Sequence, residues 1–71
     1  MTRTFKINGT LYTGEQLVAY ANKHAHELKR VSLQGSTNEL IVVAIDHGTC
    51  YAVSPRTNAV IHGWCGDFVA N

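Results

Sequence analysis

Polar and apolar positions alternate through Thr4-Phe5-Lys6-Ile7, and again through Thr10-Leu11-Tyr12 after the dipeptide Asn8-Gly9. Two alternating runs split by Asn-Gly predict a β-hairpin, because both turn residues accept the positive φ of a type I′ turn. The period then becomes helical. Leu17, Tyr20, Ala21, His24, Ala25 and Leu28 fall on one stripe, with Glu15, Ala19, Asn22, Lys23, His26 and Arg30 opposite. Thr13-Gly14-Glu15-Gln16 heads this run as a capping box, in which the Thr13 hydroxyl accepts from the Gln16 amide and the Gln16 side chain reaches back. Acid near the start and Lys29-Arg30 near the end suit the helix dipole. On this reading His24 is a hydrogen-bonded core histidine and His26 is exposed.

Beyond a loop at Gly35-Ser36-Thr37-Asn38, strand-length runs cover Glu39 to Ile45, Cys50 to Val53 and Ala59 to Trp64. Asp46-His47-Gly48-Thr49 joins the first two as a tight turn, with a bulge placed at Gly48. Ser54-Pro55-Arg56-Thr57-Asn58 joins the second two as a hairpin centred on Arg56. Connections this short make antiparallel neighbours. The predicted fold is α+β in the order ββαβββ. A small antiparallel sheet, made of the N-terminal hairpin and a C-terminal three-stranded meander, packs with one amphipathic helix in a single domain over residues 1–71.

Strand alternation places Ile41, Val43, Ile45, Tyr51, Val53 and Ile61 on one face of the meander. The other face holds Leu40, Val42, Ala44, Cys50, Ala52, Val60, His62 and Trp64. Both are apolar, yet one helix shields one face. The second must be closed by the hairpin and the Phe68-Val69 tail, or else docked against a protein partner or a second copy of the chain.

Composition sharpens this. The chain is 45% hydrophobic and 15% charged, with a formal net charge of +1. Its basic residues are scattered, which makes nucleic acid an unfavoured partner. The alternative of a nucleic-acid-binding helix would use Lys23, Lys29 and Arg30. No apolar run approaches the roughly 20 residues of a membrane span, and no leader is evident, so the expectation is a cytoplasmic protein with reduced cysteines.

His47-Gly48-Thr49-Cys50 and His62-Gly63-Trp64-Cys65 form a paired His-x-x-Cys arrangement, which suggests a zinc-binding module as an alternative. A turn centred on Arg56 would set Cys50 across from His62 and His47 near Cys65. Against a metal, His62 and Cys65 fall on opposite faces of a strand unless the chain bends at Gly63. The thiols are therefore read as small packed hydrophobes, with no cofactor. Catalysis is not expected either, since no third group orients a Cys–His pair and a chain this short encloses little.

The hairpin running directly into a capped helix, Thr4 through Leu17, and the compact size resemble in style the small accessory proteins of phages and mobile elements, anti-CRISPR proteins among them. The resemblance implies a mechanism class: an inhibitor that blocks a host or defence complex by occupying a surface, acting in the host cytoplasm. It transfers no residue roles. The expected function is thus a non-enzymatic protein–protein interaction module, with Tyr51, Arg56, Trp64 and Phe68 as contact residues because aromatics and arginine supply most anchoring energy at interfaces.

Overall fold

A computed structural model describes residues 3–70. The hairpin forms as the sequence predicts. Strands β1 (Thr4–Ile7) and β2 (Thr10–Thr13) pair antiparallel, with Asn8 at φ 52° and Gly9 at φ 86° in the turn. Helix α1 (Gly14–Lys23) follows without a linker. Both arms of the capping box are made: Gln16 N donates to Thr13 Oγ1 at 3.0 Å, and Thr13 N donates to Gln16 Oε1 at 2.8 Å. Thr13→Ala is expected to cost about 1 kcal/mol, read as a shift of the urea midpoint at unchanged slope.

The helix is shorter than its apolar stripe. It ends at Lys23, with His24 as C-cap at φ −113°, and the chain turns through His24 to Glu27 before re-entering the sheet. His24 is half-buried, lies against Tyr20 with ring centroids 4.6 Å apart, and sits 3.6 Å from Glu27, so it closes the helix instead of filling the core. Lys29 and Arg30 are not on the helix at all. Arg30 opens an additional strand, β3 (Arg30–Leu33), and pairs with Glu39 at 3.1 Å.

The meander is also larger than predicted. Strands β4 (Leu40–Asp46), β5 (Thr49–Ser54) and β6 (Ala59–Trp64) form as expected. A 3-10 turn (Cys65–Asp67) then leads into β7 (Phe68–Ala70), which pairs with β3. The result is a two-stranded sheet, β1-β2, and a five-stranded sheet in the order β6-β5-β4-β3-β7. Two strands and a crossover thus replace the simple ββαβββ order.

That order forces curvature. Laid flat, five strands about 4.8 Å apart would hold β6 and β7 about 19 Å from each other. The chain links these edges through three residues, Cys65–Asp67. A 3-10 turn rising about 2 Å per residue does not cover such a gap, so the sheet must curl toward a barrel. Phe68 of β7 accordingly reaches across to β6, where a side chain added at Gly63 would lie 3.8 Å from its ring.

Curling gives two cores, one on each side. Inside the curve, Val31, Leu40 and Ala52 are buried, with Leu33, Val42, Ile61 and Phe68 packed around them. On the outer side, Phe5 and Ile7 of the hairpin and Leu17 and Ala21 of α1 bury Ile41 and Val53. Hairpin, helix and tail therefore close both faces of the sheet internally. Of the two readings of the second face, closure from within the chain is the one observed, with the tail on the inner side and the hairpin sharing the outer side with α1.

Register explains the altered membership of those faces. The β5–β6 connection holds Pro55–Asn58, with Asn58 at φ 55°, and pairs Val53 with Val60 and Tyr51 with His62. This is one residue away from a turn centred on Arg56, and one residue inverts every side chain of a strand. Val60, His62 and Trp64 join Tyr51 and Val53, while Ile61 moves to the inner side. In β4 the bulge lies between Val42 and Ala44, not at Gly48. His47 (φ 50°) and Gly48 (φ 84°) form a tight two-residue turn. Val43 and Ala44 consequently both pack on the outer core, and Ile45 moves to the inner side opposite Cys50.

Candidate protein-interaction site

The outer face of β5 and β6 presents cross-strand rows: Val53 with Val60, Tyr51 with His62, and Thr49 with Trp64. Strand β1 crosses the first two. Phe5 is buried edge-on against Tyr51 (6.1 Å, 78°) and against His62 (5.6 Å, 70°), while Tyr51 and His62 stack at 5.8 Å. The Arg3 guanidinium lies 5.2 Å over the Phe5 ring, and its Nη2 is 3.2 Å from His62 Nε2. The third row lies past the covered core, and Trp64 is 68% exposed.

Trp64 is exposed without being loose. The chain leaves β6 into the 3-10 turn, anchored where Cys65 N donates to Gly48 O at 2.8 Å. The indole folds back onto Gly66, so that a methyl group there would overlap the ring, reaching Cε3 at 2.6 Å and two further ring atoms more closely still. Gly66 has no left-handed φ to justify glycine. The flat lie of the indole accounts for it. An aromatic already packed against its own backbone forfeits less conformational entropy on binding than one free in solvent.

The four contact residues read from sequence do not form one patch. Tyr51 is half-buried beneath Phe5, and Phe68 is half-buried in the inner core. Arg56 is exposed on the β5–β6 turn, at the opposite end of β6 from Trp64. Trp64 alone combines size, exposure and fixed pose. Its same-face neighbours His62 and Arg3 complete a polar flank that sequence reasoning missed. The available signal was the shared parity of Arg3, just before β1, with Phe5, and of His62 with Trp64 on β6.

Other exposed apolar residues are Tyr12 and Tyr20, beside a groove floored by Ile7, Leu17, Val43 and Ala44, together with Leu11, Ile45 and Val69. The helix stripe had included Tyr20; it is 45% exposed at the side of this groove.

The His-x-x-Cys residues are not gathered. Cys50 pairs with Gly63 and points inward, whereas His62 faces outward opposite Tyr51. His47 stands on the turn beside its own neighbour Asp46. Among the described residues no group of three or more His, Cys, Asp or Glu side chains is arranged to hold a metal. Burial pushes the Cys50 thiol above its ordinary range, with Cys65 nearby adding to the rise, so Cys50 stays protonated and is a poor nucleophile. The basic set of the alternative nucleic-acid reading is likewise divided, since Lys23 ends α1 while Arg30 begins β3.

Asp46 works elsewhere, at the far end of the hairpin. Its Oδ2 accepts from Asn8 N at 3.0 Å, which holds its carboxyl below the usual value of 3.8, with His47 assisting. A depressed folded value means that this tie is present above the unfolded pKa and lost as pH falls through the folded one. Acidification below pH 3.8 is therefore expected to loosen the Asn8 turn first, seen as an amide shift of Asn8 that is absent in Asp46→Asn.

Comparison with protein-family models, with curated proteins and with solved structures returns no match. Among the described residues no helix is long and apolar enough to cross a membrane.

Proposed function

We propose that this chain is a non-enzymatic protein–protein interaction module whose anchor is Trp64. The observation that carries the reading is a large aromatic ring, 68% exposed, held flat against a glycine at the end of a curled sheet. Tryptophan is the residue most enriched among interface hot spots, and a pre-positioned one gives up less freedom than a loose one when a partner covers it. His62 and Arg3 supply the polar rim. An inhibitor that occupies a surface of a host or defence complex, as the style of the chain implies, requires no more than such an anchor on a stable scaffold.

Sedimentation over a wide concentration range separates self-association from capture of a foreign protein. Retention of a defined binding protein from host lysate by the wild type, and its loss with Trp64→Ala at unchanged far-UV circular dichroism, is the expected result. Equal retention by both proteins would remove Trp64 as the anchor.

A further inference from the structure

Strand β6 lies at the edge of the five-stranded sheet, paired with β5 and with no other strand. The ladder itself tells which of its backbone groups are left over. Cys65 N donates to Gly48 O, and bonded pairs in an antiparallel ladder recur at every second residue, so Gly63, Ile61 and Ala59 bond to β5. The amides and carbonyls of Val60 and His62 therefore point to the open side, where no described residue bonds to them. Strand β7 does not pair there; it approaches the far end of β6, where Phe68 lies beside Gly63.

Sheet edges are ordinarily blunted by a charge, a proline, a bulge or shortness. Ala59-Val60-Ile61-His62-Gly63-Trp64 contains no lysine, arginine, aspartate, glutamate or proline, and its register with β5 is unbroken. The other edges are guarded: β7 has three residues, and in β2 the Thr13 amide is spent on Gln16. Beside β6 runs a groove between Val60 and the Val18 and Ala19 side of α1, with Phe5 at its base. Arg3 and Glu15 line it too, and neither makes an ion pair among the described residues.

We propose that β6 pairs with β6 of a second copy of this chain, antiparallel about a two-fold axis at Ile61, so that two sheets become one. In this register Val60 of each copy faces His62 of the other, and each facing pair exchanges both backbone bonds. An uncharged strand can face itself, whereas a charged one would meet its own sign. The groove favours the same occupant. One unpaired cation and one unpaired carboxylate make it complementary to its own two-fold image, while its mixed charge selects no foreign segment of either sign. The pairing uses backbone groups and does not require the Trp64 ring, so it stands apart from the docking role proposed for Trp64.

Residue-resolved amide exchange on the wild-type protein tests this. Between about 10 µM and about 1 mM, exchange at Val60 and His62 is expected to slow by about tenfold, the factor reached when nine chains in ten are paired. The Ile61 amide, already bonded to β5, should not change. Sedimentation should show the mass rising to that of a dimer over the same range. Arg3→Glu and Glu15→Arg should each dimerise at least about threefold more weakly, because the two-fold axis repeats like charges, and an equimolar mixture of the two should recover the dimer. Exchange at Val60 and His62 that is independent of concentration, protection that appears only when a foreign protein is added, or a mixture no better than its components would each overturn pairing with a second copy.

Discussion

Trp64→Ala is expected to leave the domain as stable as wild type to within about 0.5 kcal/mol while weakening partner binding at least thirtyfold. The two effects separate because the indole is mostly in water and belongs to neither buried cluster. Removing it opens no cavity in either core. A true hot spot costs about 2 kcal/mol or more on truncation, and 1.4 kcal/mol is a factor of ten in affinity. Gly66→Ala is the sharper companion. It keeps the tryptophan but denies the ring its resting place, so the ring must swing outward. Because the obstructing atoms are side-chain atoms with solvent beside them, and not backbone, the fold should tolerate the change. Binding should still fall severalfold, and the indole fluorescence maximum should shift. Full affinity in Gly66→Ala together with its loss in Trp64→Ala would show that the ring matters but its pose does not.

Phe5→Ala is expected to have the largest effect on stability, about 3–5 kcal/mol. Phe5 is 7% exposed and sits where hairpin, helix start and sheet converge, edge-on to Tyr51 and His62 and 3.8 Å from a side chain added at Gly14. A chain of 71 residues has roughly 4–10 kcal/mol in total, so this one truncation brings the domain to the edge of unfolding. Leu11→Ala on the same hairpin is the control. At 65% exposure Leu11 contributes little to either core, and its loss should move the urea midpoint within about 0.5 kcal/mol. Equal midpoints for the two variants would mean that the hairpin does not plug the sheet.

The elements that were legible in sequence are those specified by chemistry within a few residues. Asn8-Gly9 dictates its turn because those side chains tolerate positive φ, and Thr13 with Gln16 satisfies the orphan amides of the helix start. The strands β4 to β6 are readable for the same reason. Strands β3 and β7 were hidden. Val31, Ser32 and Leu33 follow an apolar stripe that could continue a helix, and Phe68-Val69-Ala70 is too short to show alternation. Each becomes a strand only because the other is there to pair with it. The single-residue slip at the Pro55–Asn58 turn had the widest consequences: it moved His62 and Trp64 onto the hairpin side and parted His62 from Cys50. That one step dissolves the zinc arrangement and creates the Arg3–His62 contact.

The sequence by itself determined an α+β chain, a capped helix, a leading hairpin and a meander whose two faces both need cover. Tertiary structure decided what covers them and which aromatic is left over. A local signal reaches only as far as a turn or one helical period. Closure of the sheet depends instead on pairing between segments more than thirty residues apart, Val31 with Ala70 and Leu33 with Phe68. Once those edges meet, the apolar surface that seemed to await a partner is inside the molecule, and Trp64, carried past the end of the core on the Cys65–Asp67 turn, remains outside.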